Sequence, residues 1–243
     1  MQESLVQLDS NLAESQRAYY RKTAQLYDQM HVSQADEHTF ALQWLTGLVR
    51  LYEFRRVLDV GCGTGRVGLW LAQHAPDVEV FGLEPVPEMI AEAIRKGHRH
   101  DRLVEGSALD IPYPDDSFDL VCAFGMLHHV RDDMRAVREM SRVAGKAVFI
   151  SDSNNFGHGS PVARLVKQLI HRLGFWPLAD FLKTRGKGYV ESEGDGIAYS
   201  YSAFDSLSLL RSKFPKSYFL NTAPAGPNLY RTAPSVAMFL TKT

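Results

Sequence analysis

The chain of 243 residues reads as an α/β protein built on a doubly wound parallel sheet. Three observations predict this. From Arg56 onward, short apolar runs alternate with stretches of helical periodicity. The runs are apolar at nearly every position, as in strands covered on both faces. The first run, VLDV at 57–60, opens directly into the glycine-rich turn GCGTG and then the helical stretch RVGLWLA.

The elements follow in order. Residues 1–15 are polar and mixed and predict little order. Residues 15–30 carry a helical pattern whose larger apolar members are Tyr19, Tyr20, Leu26, Tyr27 and Met30. A second helix is expected over 36–52, where Phe40, Leu42, Trp44, Leu45, Leu48 and Leu51 are spaced for packing. Strand one is 57–60, and its helix, 66–74, is ended by Pro76-Asp77. Strand two is 78–83, and the next helix, 87–96, is opened by Pro87 and closed by Gly97. Strand three, 103–105, precedes a loop punctuated by Pro112 and Pro114. Strand four is 118–124, followed by a helix over 132–143 and strand five at 146–151.

Residues 153–202 break the rhythm with turn formers, a helix over 162–173 bearing Arg164, Lys167 and Arg172, and a stretch rich in glycine, aromatics and charge. The stretch is too long for a simple connection and reads as an insertion over the carboxyl edge of the sheet. The alternation resumes with a helix at 203–214, a strand at 217–221, a proline-rich turn and a last strand at 236–242. The organisation is therefore 1–55 as N-terminal helices, 56–152 as a ligand-binding core, 153–202 as an inserted cap and 203–243 as the rest of the core.

A formal net charge of -1 implies no general attraction to nucleic acid or to an anionic membrane. The two cysteines, Cys62 and Cys122, lie in apolar strand-to-loop contexts and read as reduced, buried thiols of a cytoplasmic protein. The opening MQESLVQLDS has neither the basic nor the apolar region of a signal peptide, and no apolar stretch is long enough to span a bilayer.

The glycine turn narrows the function. Glycines take positive φ and let a ligand approach the backbone, and the following helix start offers unpaired N–H groups to an anionic group. A dinucleotide fingerprint needs a third glycine at the sixth position, where this chain has Arg66. The spacing is D-x-G-x-G-x-G over 59–65, with Asp59 inside the strand, and a second acid, Glu84, ends the next apolar run, where it could grip a ribose diol.

This combination resembles motif I and the acidic loop of the class I S-adenosyl-L-methionine (SAM) methyltransferases, and the likeness extends over about 57–152. The runs GSALDIPYPDDSFDLV and FGMLHHV look like the small-molecule branch. The resemblance implies a Rossmann-like seven-stranded sheet with an antiparallel last strand, an N-terminal helix whose Tyr27-Asp28 pair closes over the cofactor, and a cap between strands five and six. It implies SAM as cofactor. Asp59, Gly61, Cys62, Gly63 and Gly65 would surround its methionine part, Glu84 would hold the ribose, and Pro85 and Met89 would flank the adenine. Where the family shows G-D-A, this chain has Gly106-Ser107-Ala108, so the adenine contact at Ser107 lacks a charge. Phe124 and Gly125 would lie near the sulfonium. His128, His129 and Asp152 are the candidates for orienting or deprotonating the acceptor, each with a structural role as the alternative.

No cysteine or acid stands at ligand spacing beside the histidine pair, so no metal is expected. The implied activity is methyl transfer to an O or N of a small polar metabolite, glycosyl unit or natural-product intermediate. Tyr189, Glu191, Glu193, Tyr199 and Tyr201 of the insertion are available to the acceptor. Three other readings stay open: a SAM-binding regulatory or partner protein without turnover, a methyltransferase acting on tRNA or protein, and a nicotinamide-dependent oxidoreductase on a similar sheet.

Overall fold

The computed structural model describes residues 2–33, 36–223 and 228–243, with side chains described from Asn11 onward. The N-terminal segment is helical. Helix α1 (Gln2–Thr23) is followed by a tight turn and the short α2 (Tyr27–His31). Helix α1 therefore covers residues whose polarity predicted little order, and the single helix expected over 15–30 is broken. The break has a local cause. Thr23 turns its hydroxyl back to the Tyr19 carbonyl at 3.0 Å, and Leu26 N–H bonds the Thr23 carbonyl at 2.8 Å, closing a turn in place of the next helical rung. Helix α3 (Glu37–Leu51) is capped by Asp36, whose carboxylate accepts from Thr39 N–H at 2.8 Å.

The core then runs β1 (Arg56–Val60), α4 (Arg66–His74), β2 (Glu79–Glu84), α5 (Pro87–Arg95), β3 (Leu103–Glu105), β4 (Phe118–Phe124), α6 (Asp133–Val143) and β5 (Ala144–Ser153). Between β5 and residue 203 lie α7 (Pro161–Arg172), α8 (Trp176–Lys183) and a hairpin of β6 (Val190–Ser192) and β7 (Gly196–Ala198). Helix α9 (Leu207–Arg211), β8 (Lys216–Asn221), α10 (Leu229–Thr232) and β9 (Ser235–Thr241) complete the chain. The helix expected over 203–214 is a 3-10 turn at Ala203–Ser206 leading into the short α9. Residues 224–227 of the proline-rich turn lie outside the described residues.

The main sheet has the order β3-β2-β1-β4-β5-β9-β8. Strands β1 to β5 pair in parallel, and β9 slots between β5 and β8, antiparallel to both. This is the Rossmann-like sheet with an antiparallel last strand that the sequence implied. Side chains alternate across it with the two-residue period of a pleated strand. Leu58, Val121, Val148 and Ile150 pack with Val137 and Met140 of α6 on one face. Val57, Leu120, Cys122 and Phe149 pack with Leu45 of α3 and Leu71 of α4 on the other. The chain runs from β1 outward to β3, then returns to the far side of β1 as β4, so the strand order reverses between β1 and β4. In open α/β sheets the ligand crevice lies at such a reversal, beyond the carboxyl ends of the strands.

Candidate cofactor and acceptor site

A cavity of about 270 Å³ lies at that reversal. Its base is the glycine turn after β1. Gly61, Gly63 and Gly65 all sit in the left-handed region, at φ 70°, 52° and 81°. A side chain at Gly61 would meet Met126 at 2.9 Å as well as strain the backbone, so the turn keeps an open backbone face where the cavity lies. Gly61 and Cys62 N–H both bond the Leu83 carbonyl, which ties the turn to β2.

Glu84, at the end of β2, is the charged centre of the cavity wall. One oxygen accepts from Gly63 N–H at 3.0 Å and the other from Val86 N–H at 3.1 Å. Each oxygen keeps a lone pair for a further donor. Burial pushes its pKa up to about 7, against the pull of those two N–H bonds.

Of the residues singled out from the sequence, Tyr27, Gly61, Gly63, Glu84, Pro85 and Met89 line this cavity. Ser107, Ala108, Phe124, Gly125 and His129 line its remaining walls. Ser107 spends its hydroxyl partly within the loop, accepting from Leu109 N–H at 3.2 Å. Cys62, Gly65, Asp59, His128 and Asp152 lie behind the lining. Cys62 packs under Gly82, where an added Cβ would come within 2.6 Å of its sulfur. Asp59 accepts no N–H from the turn. One oxygen faces the Cys122 thiol at 3.8 Å, the other is buried without a partner, and burial raises its pKa well above the carboxylate range.

The roof is supplied by the N-terminal helices. Gln16, Arg17 and Tyr20 of α1 line the cavity beside Tyr27 of α2. Tyr20 meets both Tyr27 and His129 edge-on, with ring centroids 5.9 and 5.8 Å apart. Asp28 fastens α2 to the turn by accepting from the Thr64 hydroxyl and from Lys96, each at 2.6 Å.

The histidine pair sits in a 3-10 turn after β4 and carries a charge chain. His128 Nδ1 donates to Asp152 at 2.6 Å, and its Nε2 faces Asp195 at 3.5 Å. Asp152 is fully buried and also accepts from Leu127 N–H at 2.9 Å. Burial works against the imidazolium, but Asp152 and then Asp195 outweigh it and hold the His128 pKa near 10. The same pairing lowers both aspartates. His129 donates from Nδ1 to the Ile197 carbonyl at 2.6 Å and turns Nε2 toward Asp195 at 3.4 Å.

Asp195 was missed in the sequence. It lies 66 residues beyond His129, at the tip of the β6–β7 hairpin, and the local signal was only the Asp195-Gly196 turn pair. With the two histidines it forms the group of described residues whose ligand atoms lie within 4.8 Å of one another and could hold a metal ion. A protonated His128 between Asp152 and Asp195 offsets one of the two carboxylate charges.

Comparison with known proteins adds the family. Residues 58–149 match the family described as methyltransferase domain. The demethylmenaquinone methyltransferase of Deinococcus radiodurans is 45% identical over 93 residues, which is 37% of this chain and 38% of that protein. The demethylmenaquinone methyltransferase of Anoxybacillus flavithermus is 31% identical over 174 residues, 68% of this chain and 70% of that protein. The chain spans about a third to a half of the length of several other curated relatives that it matches. A solved SAM-dependent methyltransferase of Thermotoga maritima, described as a possible histamine N-methyltransferase, shares the fold with a TM-score of 0.58 at 19% identity, covering 94% of this chain and 100% of that one. By its glycine turn, its sheet and the extent of the Anoxybacillus match, the chain belongs to the class I SAM-dependent methyltransferases.

Proposed function

We propose that this protein binds SAM in the cavity beside Glu84 and transfers its methyl group to an oxygen or nitrogen of a small-molecule acceptor. The observation that carries the reading is the Glu84 carboxylate, fixed by two backbone N–H groups at the cavity wall with lone pairs to spare. The residues present fit the cofactor. Glu84 would accept the ribose hydroxyls in charge-assisted bonds. Gly61 and Gly63 leave backbone room for the amino-acid part, and Pro85, Met89 and Ala108 offer apolar flanks to the adenine. When bound, SAM supplies an electrophilic methyl group on a sulfonium.

The protein's task is then to orient the acceptor and exclude water. Tyr20 and Tyr27 close the cavity from above, and Phe124 shields the end nearest β4. His129 is the histidine that reaches the cavity. Its Nδ1 is committed to the Ile197 carbonyl, which leaves Nε2, on the Asp195 side, as the atom that would take the acceptor proton. His128 is held as an imidazolium at neutral pH and has no free lone pair for that work. Asp152 is a positioning residue acting through His128. Small-molecule acceptors are also what the demethylmenaquinone methyltransferases named above suggest.

Calorimetric titration with SAM and with S-adenosylhomocysteine tests the reading. Micromolar binding of both, followed by a mass-spectrometric acceptor screen that yields a product 14 Da heavier, is the expected result. Binding of neither overturns it, and binding of NADH instead would favour the oxidoreductase.

Two further outcomes are expected. The ribose hydroxyls favour ionised Glu84, whose pKa in the free protein is about 7. Affinity for S-adenosylhomocysteine therefore rises about tenfold between about pH 6 and about pH 8, with proton release at the lower pH. Buffers of different ionisation enthalpy detect that release, and a flat profile removes Glu84 from the ribose. His129→Ala keeps that affinity within about twofold while turnover falls about 100-fold. Unchanged turnover would leave positioning alone as the account.

A further inference from the structure

Helices α7 and α8 are built inside out. Neither contains a buried residue. Among the described residues, nine large apolar side chains between 162 and 182 are 48% to 72% exposed. On α7, Val162, Leu165, Leu169 and Leu173 follow helical spacing and form one outward stripe. On α8, which packs against α7, Leu178, Phe181 and Leu182 are exposed as well.

The polar side of α7 faces the protein instead. Lys167 donates to the Asn155 carbonyl at 2.5 Å, and His171 bonds the Tyr230 hydroxyl at 3.0 Å and stacks on Phe156. The apolar face is thus presented on a firmly anchored support. Exposed apolar side chains gathered on two adjoining helices in this way mark a site of interaction with a protein or a membrane.

Charge selects between these. Residues 161–188 carry six basic residues and one acid, Asp180, in a chain whose net charge is -1. Arg172, Lys183, Arg185 and Lys187 of the same segment are exposed, whereas Asp180 is half-buried. A second copy docked about a twofold axis would set these cations against their own images. A bilayer with anionic headgroups accepts both features at once. Apolar side chains enter the acyl boundary while lysine and arginine reach the phosphates. No helix of the described residues is long and apolar enough to cross a membrane, so the contact would lie in the interfacial plane.

We propose that the α7–α8 face docks this protein on the surface of an anionic lipid bilayer. The inference stands independently of the methyl-transfer reading.

Flotation of the full chain with vesicles of phosphatidylglycerol and phosphatidylcholine, against phosphatidylcholine alone, tests it. Calorimetry with S-adenosylhomocysteine on the same preparation reports separately on the cofactor site. The protein is expected to float with the anionic vesicles. Leu169→Glu with Phe181→Glu lowers partitioning at least about tenfold, at exposed positions whose melting temperature should not move. Lys183→Glu and Arg185→Glu each lower it at least about fivefold, on anionic vesicles only. Wild-type protein that stays unbound with both vesicles overturns the proposal. So does a double apolar variant that floats as well as wild type, or one that merely converts a dimer into a monomer by light scattering.

Discussion

Glu84→Ala weakens binding of S-adenosylhomocysteine by about 100- to 1,000-fold. A hydrogen bond to a charged group contributes about 1.5–3 kcal/mol, and the carboxylate would receive two from a ribose; at the lower end of that range about 3–4 kcal/mol is lost. The substitution also frees the N–H groups of Gly63 and Val86, which Glu84 now satisfies. Their partial desolvation loosens the turn and adds to the loss. Against this, a buried carboxyl with a raised pKa is itself unfavourable in the folded chain, so its removal should leave the melting temperature within a few degrees. Glu84→Gln separates charge from shape. It keeps one acceptor oxygen but sets an NH2 group against one of the two N–H donors, and is expected to bind almost as poorly as alanine. Calorimetry on both variants checks this. Near-wild-type affinity in either would move the cofactor elsewhere in the cavity.

The core was legible because its signals are local. A strand of apolar residues, a glycine turn and a helix start occupy one stretch of sequence, and β3 and β4 fall where the periodicity put them. Glu84 was legible for the same reason, since it ends an apolar run at a fixed distance from the turn. What the sequence did not reveal depends on pairings across the chain. Asp195 meets His128 and His129 only because the hairpin folds back over the turn after β4. Asp152 could be read as facing the acceptor, yet in the folded chain it is walled in behind His128.

The α7 stripe shows a different limit. Its spacing predicts a helix but not which face turns inward, because an inward apolar face and an outward one have the same period. Net charge failed in a similar way. A total near zero concealed the segment 161–188, with six bases and one acid.

The largest effect on stability is expected from Asp152. Its carboxylate is fully buried and holds the His128 imidazolium at 2.6 Å, together with the N–H groups of Leu127 and Ser153. Removing Asp152 leaves the buried His128 charge with only the solvent-accessible Asp195 at 3.5 Å, and breaking a buried pair in this way costs about 3–5 kcal/mol. For a domain of this size Asp152→Leu should lower the melting temperature by roughly 6–20 °C. The pH dependence identifies the cause. His128 has a folded-state pKa near 10 and an ordinary value of 6.5. Its contribution is therefore fully present below about pH 6.5 and lost as pH rises through about 10. Asp152 is shifted downward, so its contribution persists above the ordinary carboxylate range and is lost only on further acidification. The gap between wild type and Asp152→Leu should be widest near pH 6 and narrow toward pH 10. Adding His128→Leu to Asp152→Leu removes the stranded charge and should recover part of the loss, but not that of the two N–H groups. Thermal melts of the single and double variants across this range decide the matter. A gap that ignores pH, together with a double variant no better than the single, would mean that Asp152 supports the backbone turn and not the histidine.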